Sequence, residues 1–284
     1  MQPIISIQQF KNLPPENLII LDARVGKDAY ENYLINHIKG ARFIDLNKDL
    51  AGTVENLAFG GRHPLPKIEK FSETVSILGI SETSHIIIYD NKNGSNAAAR
   101  AWWMLKSFGL KNIQVLDGGI QSAEKEAVEF SNGEENFQKS ELIKNHQWIL
   151  PLFTLEDVEN ELLSNTATVI DVRDAYRFRG ESEPIDLVAG HIPGTINIPF
   201  SENLDEKGNF LKPEILKEKY SSFFQNNSKK IIIHCGSGVT ACHTILALSY
   251  AGFDTVGLYV GSWSEWSRRE GKAIITEINI LRTF

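Results

Sequence analysis

Sulfur is scarce in this chain: 284 residues hold two cysteines and two methionines. Two cysteines cannot build a disulfide framework, and a reduced cytosolic setting suits them best. Cys235 and Cys242 lie seven positions apart. If the stretch between them is largely helical, their Cα atoms are on the order of 10 Å apart, beyond the reach of a disulfide. Cys242 then reads as a small buried apolar residue. Positive charge is also short, with 29 Lys and Arg against 36 Asp and Glu and a net charge of −7. No electrostatic footprint for nucleic acid or an anionic membrane results. No apolar run reaches the roughly 18 residues of a membrane span. The opening Met-Gln-Pro-Ile-Ile-Ser-Ile-Gln-Gln lacks a basic n-region, so no signal peptide is expected. The seven histidines show no ligand spacing with the cysteines, and neither a metal nor another cofactor is called for.

What the chain does have is one unit written twice. Leu21-Asp22-Ala23-Arg24 is echoed by Ile170-Asp171-Val172-Arg173, and His37-Ile38-Lys39-Gly40 by His191-Ile192-Pro193-Gly194. Ile86-Ile87-Ile88-Tyr89-Asp90 matches Ile231-Ile232-Ile233-His234-Cys235. The repeat length is that of a whole domain rather than of a solenoid. Residues 1–130 and 151–284 are the expected domains, and the polar stretch 131–150, without sustained periodicity, is the expected linker. Within each copy β-branched runs alternate with helical patterns such as Ala97–Phe108 and Val239–Tyr250. That alternation predicts an α/β fold, two tandem domains with a mainly parallel sheet flanked by helices. Trp102, Trp103, Trp263 and Trp266 follow the apolar patterning and read as core or interface anchors.

The run Ile231–Ile233 predicts a buried strand that ends at Cys235, and glycines at 236 and 238 then lead into a helix. A cysteine there sits under the positive end of a helix dipole, in a loop whose N–H groups can stabilise an anion on sulfur. A buried structural cysteine beside a tight turn is the alternative. A cysteine phosphatase needs Cys-x5-Arg to grip phosphoryl oxygens. Position 241 is Ala, and no lysine or arginine stands between Cys235 and Arg268. In the first copy Asp90 replaces the cysteine. A carboxylate cannot act as a thiolate nucleophile, so this copy is expected to be catalytically silent and to complete a cleft.

Cys235-Gly-Ser-Gly-Val-Thr-Ala resembles the active-site loop of the rhodanese superfamily, and within it that of the 3-mercaptopyruvate sulfurtransferases. The resemblance implies an enzyme that moves sulfur from the donor to a thiol or cyanide through a Cys235 persulfide. The acceptor thiol could be thioredoxin. The loop N–H groups of Gly236, Gly238, Val239 and Thr240 would hold the persulfide anion. Ser237 matches a serine in a relay with a histidine and an aspartate, for which His37 and Asp28 are the candidates. The other reading makes Ser237 a helix cap and His37 a turn residue, as His191 in the equivalent turn suggests. Arg177 in Tyr-Arg-Phe-Arg-Gly matches the family's carboxylate-binding arginine. The second arginine of the family's Glu-Pro-x-Pro-like stretch is missing, because this chain reads Glu183-Pro184-Ile185-Asp186. Arg62 and His63, on a Gly/Pro-rich loop, could draw in an anion or be ordinary surface chemistry. Thiosulfate:cyanide transfer is the alternative chemistry, disfavoured by neutral Gly236 and Ser237 where thiosulfate enzymes carry Arg and Lys. A non-enzymatic binding module is the alternative class, and such modules usually lose the cysteine.

Overall fold

The computed structural model describes residues 1–225 and 229–277. The chain forms two compact units whose membership is not sequential. Unit 1 takes Met1–Gly52, Leu65–Leu150 and Glu206–Phe210; unit 2 takes Thr53–Pro64, Pro151–Asp205 and the chain from Leu211 onward.

Unit 1 is built on strands β1 (Ile4–Ile5), β2 (Leu18–Asp22), β3 (Ala41–Phe43), β4 (His85–Tyr89) and β5 (Ile113–Leu116). They form one parallel sheet in the order β1-β5-β4-β2-β3. Its helices are α1 (Ile7–Lys11), α2 (Ala29–Ile35), α3 (Ile68–Ile77), α4 (Ala97–Ser107) and α5 (Gly119–Lys125). Ile86, Ile87 and Ile88 of β4 are fully buried. A strand covered on both faces reads as continuous β-branched sequence rather than as an alternation, which is why this run was legible. The stretch 131–150 counts with unit 1. Ser140 N–H donates to Ser76 at 3.0 Å and Ile149 N–H to Ser107 at 2.8 Å, and Trp148 packs on Phe71.

Unit 2 repeats the plan with β6 (Leu152–Phe153), β7 (Ala167–Asp171), β8 (Ile196–Asn197), β9 (Lys230–His234) and β10 (Val256–Tyr259). The parallel order is β8-β7-β9-β10-β6, the same topology read from the other edge. Helices α6 (Leu155–Leu163), α7 (Ala175–Phe178), α8 (Pro213–Phe224), α9 (Val239–Tyr250) and α10 (Ser262–Trp266) complete it. Thr154 and Asp157 close a capping box on α6. Trp263 and Trp266 lie in the core beside Val158, Val169 and Ile232.

The Asp-x-Arg echo has a physical basis. Arg24 folds back on Asp22, its Nε 2.9 and 3.0 Å from the carboxylate oxygens, and reaches the Asn36 carbonyl at 2.7 Å. Arg173 does the same with Asp171 at 3.0 and 3.1 Å and reaches the Gly190 carbonyl at 2.7 Å. Each pair is buried and ties the end of a central strand to the turn that carries the repeated histidine. Removing one partner would leave a buried charge uncompensated.

Candidate active site

In unit 2 the cysteine follows the carboxyl end of the central strand, where open parallel sheets receive ligands. Cys235 comes directly after β9 and is 2% exposed. Gly238 caps α9 at φ +74°, and a Cβ there would lie 2.7 Å from the Val260 carbonyl oxygen, so a side chain is excluded. The left-handed step starts the helix at once. The N–H groups of its first turn, those of Val239 and Thr240 among them, have no intrahelical acceptor and present the positive end of the dipole to the loop. The start of α10 clamps the loop from the other side. Cys235 N–H donates to Ser262 Oγ at 3.2 Å, and the Cys235 carbonyl accepts from Trp263 N–H at 3.0 Å. Ser262 sits at φ +54°, an uncommon conformation for a residue with a side chain.

Unit 1 shows what such a loop does with an anion. Asp90, after β4, accepts from the N–H groups of Lys92 and Gly94 at 2.8 Å, of Asn96 at 3.0 Å and of Ala98 at 3.1 Å. Burial raises its pKa, and the four amides act against that rise. The first copy has filled its own cradle with a carboxylate.

Cations gather beside the Cys235 loop. A Cβ built on Gly236 would stand 3.0 Å from Arg62 Nη2, 3.4 Å from Arg177 Nη2 and 3.4 Å from Asp186 Oδ2. Arg177, on α7 and buried, grips Glu183 through Nε and Nη2 at 2.7–3.0 Å. Arg62 binds Asp186 through Nε at 3.0 Å and Nη2 at 3.2 Å. Arg268 binds the same carboxylate at 3.1 Å, and Arg177 reaches it at 3.4 Å. Burial opposes the Asp186 charge, but the guanidinium groups of Arg62 and Arg268 hold its carboxyl below the usual range. Burial likewise opposes the Arg177 charge, and Glu183, Asp186 and Cys235 together raise its pKa. Arg62 and Arg268 thus bring further cations to the Glu183–Asp186 stretch, which has no second arginine of its own.

Ser237, buried beside the cysteine, has its Oγ 2.8 Å from His63 Nδ1. The family resemblance names His37 and Asp28 as its partners, but the ring at hydrogen-bond distance from Ser237 Oγ is that of His63. His37 is fully buried in unit 1, with Nδ1 at 2.7 Å from the Tyr33 carbonyl. Its Nε2 lies 2.9 Å from Ser131 Oγ and 3.2 Å from Glu135. The ring stacks on Tyr33 at 4.2 Å. His191 repeats this in unit 2, with Nδ1 on the Phe178 carbonyl at 2.8 Å and the ring stacked on Phe178 at 3.8 Å. The repeated histidine is therefore a turn residue in both copies. Asp28 is exposed at the start of α2 and makes no side-chain cap bond. The sequence signal for His63 was an Arg-His pair on a glycine-rich loop, and nothing local linked it to Ser237.

Among the described residues no helix is long and apolar enough to cross a membrane. The Rhodanese-like domain family matches residues 6–126 and again 154–269. A probable 3-mercaptopyruvate sulfurtransferase of Pseudomonas aeruginosa is 37% identical over 270 residues, which is 93% of this chain and 94% of that protein. The 3-mercaptopyruvate sulfurtransferase of Homo sapiens is 36% identical over 264 residues, 89% and 86% of the two chains. Among solved structures, the 3-mercaptopyruvate sulfotransferase SseA from Escherichia coli has a TM-score of 0.79 at 31% identity, over 93% of this chain and 100% of that one.

Proposed function

This chain belongs to the rhodanese-like family, in two tandem copies, and from that premise we propose that it is a 3-mercaptopyruvate sulfurtransferase working through Cys235. The observation that carries the donor assignment is the convergence of Arg62 and Arg177 on Gly236, one residue from the nucleophile. A planar guanidinium matches a carboxylate, and two of them beside the sulfur-accepting thiolate hold a donor with both groups in reach.

The chemistry follows from the residues. The Cys235 thiolate attacks the sulfur of 3-mercaptopyruvate, a sulfur–sulfur bond forms, and the carbon–sulfur bond breaks with its electron pair going to carbon. The resulting enolate takes up the proton that the donor thiol brought, giving pyruvate and the Cys235 persulfide anion. Ser237, held by His63, donates a hydrogen bond to the donor's carbonyl oxygen as negative charge develops there. The N–H groups of Gly236 to Thr240 stabilise the persulfide in the way their counterparts hold Asp90. An acceptor thiol then takes the outer sulfur and returns Cys235 as thiolate. A small thiol or a thioredoxin-like protein thiol fits this step, and a cytoplasmic setting keeps such acceptors reduced.

The test is direct. Incubation with 3-mercaptopyruvate and no acceptor should add about 32 Da, one sulfur, to the Cys235 peptide. Cys235→Ser should abolish turnover, whereas Cys242→Ser, which removes a thiol bonded to the Gly238 carbonyl, should keep most of it. Sulfur found on Cys242, or turnover surviving Cys235→Ser, would overturn the reading.

A further inference from the structure

Asp186 stands where a carboxylate looks out of place. Its side chain is fully buried, it lies beside the loop that must hold an anion, and three guanidinium groups, those of Arg62, Arg177 and Arg268, converge on it. Arg177 is shared with Glu183. Arg62, Arg177, Arg268 and Arg173, which also reaches Glu183, against Asp186, Glu183 and Asp171 leave one positive charge in surplus beside the Cys235 thiolate. The smaller the positive surplus, the more a second negative charge on the donor costs. Without the Asp186 charge the same arginines would carry a surplus of two.

We infer that Asp186 is a specificity-determining residue, which sets the charge of the donor site so that a monoanionic donor is favoured over a dianionic one. The inference rests on the sulfurtransferase reading above and adds the charge class of donor to it. The two donors differ in this respect. 3-Mercaptopyruvate brings one carboxylate. Thiosulfate brings two negative charges, and its transfer breaks the sulfur–sulfur bond of the donor, forms the Cys235 persulfide and releases sulfite with the leaving electron pair. Asp186 repels the second charge at close range. One unit charge roughly 6–12 Å away, at an effective dielectric constant of about 20, changes an equilibrium by on the order of 10- to 100-fold.

Two substitutions move the site's charge in opposite directions. Asp186→Asn, nearly isosteric, should raise the ratio of kcat/KM for thiosulfate to that for 3-mercaptopyruvate by on the order of 10- to 100-fold. Arg268→Gln should lower the same ratio. Competitive inhibition provides a readout that needs no donor turnover: the Ki of sulfate, a dianion, relative to that of pyruvate, a monoanion, should fall in Asp186→Asn and rise in Arg268→Gln. Far-ultraviolet circular dichroism and a melting curve establish that each variant is folded. A folded Asp186→Asn whose ratios stay within about twofold of the parent overturns the inference. Should Asp186→Asn fail to fold, an unchanged ratio in Arg268→Gln overturns it alone. A parent protein that uses thiosulfate and not 3-mercaptopyruvate overturns the proposed donor, and the sulfate-to-pyruvate ratio still decides the role of Asp186.

Discussion

A hydrogen bond of 2.8 Å joins His63 to Ser237 across 174 positions of sequence, while His37 spends both ring nitrogens inside unit 1. The two rings therefore fail differently when replaced. His63→Gln and Ser237→Ala should each lower kcat for 3-mercaptopyruvate by roughly 10²- to 10³-fold with little change in KM, because they touch the step where charge develops. His37→Asn should leave the kcat of folded protein within about twofold and lower stability by about 1–3 kcal/mol, the cost of unmade buried hydrogen bonds. Steady-state kinetics and urea denaturation on all three variants separate the cases. A large kcat loss in His37→Asn with stability intact would support the catalytic role that the family resemblance implies.

Helix α9 is bounded by glycines with different duties. Gly238 opens it at φ +74° against the Val260 carbonyl, whereas Gly252, past its other end at φ +90°, has nothing within 4 Å of a would-be Cβ. Gly252→Ala meets only the left-handed conformation and should cost about 1–2 kcal/mol with kcat/KM unchanged. Gly238→Ala meets the same strain plus a clash that moves the Cys235 loop. It should lose more stability and at least about tenfold in kcat/KM, since misplacement by an ångström is enough for that. Equal kinetics in the two variants would mean that the loop does not depend on its left-handed cap. The β-branched strands and the two copies of the sheet were legible because burial on both faces leaves a continuous apolar run. The short edge strands, such as Ile4–Ile5 and Ile196–Asn197, were not, because two residues carry no periodicity.

At the scale of the whole chain, the segment Thr53–Pro64 of the first copy belongs to unit 2, where Gly60 N–H bonds Glu265 at 2.9 Å and Arg269 bonds the Ala58 carbonyl at 2.9 Å. A fragment comprising residues 151–284 lacks Arg62 and His63 with that segment. Its kcat/KM should fall below that of the intact chain carrying Arg62→Ala and His63→Gln together, because Glu265 also loses the Gly60 N–H and Arg269 loses the Ala58 carbonyl. Activity in the fragment equal to that double variant would show that the segment supplies only its two side chains. Acid stability is a second global property. His234 and His243 are fully buried, and burial lowers both pKa values, that of His243 to about 3. The unfolded chain therefore binds protons below about pH 6.5 that the folded chain does not, and stability falls as pH falls by up to about 1.4 kcal/mol per unit for each histidine. For His243 that window extends down to about pH 3. Urea denaturation between pH 7.5 and about 4.5 should show this slope, and His243→Gln should flatten it. An unaltered slope in His243→Gln would mean that this ring is not the group responsible.

The sequence by itself determined whatever depends on near neighbours. The duplicated strands, the cysteine loop and its replacement by Asp90 are all patterns within a dozen residues, where backbone geometry and side-chain type act directly on one another. The folded chain decided whatever depends on distant segments meeting. That Ser237 pairs with His63, that Arg62 and Arg268 reach Asp186, and that Asp186 sits among three arginines could not be read from spacing. Hydrogen bonds and ion pairs act over a few ångströms, and only the packing of a parallel sheet, whose crossovers separate neighbours in space by long stretches of sequence, brings those groups within that range.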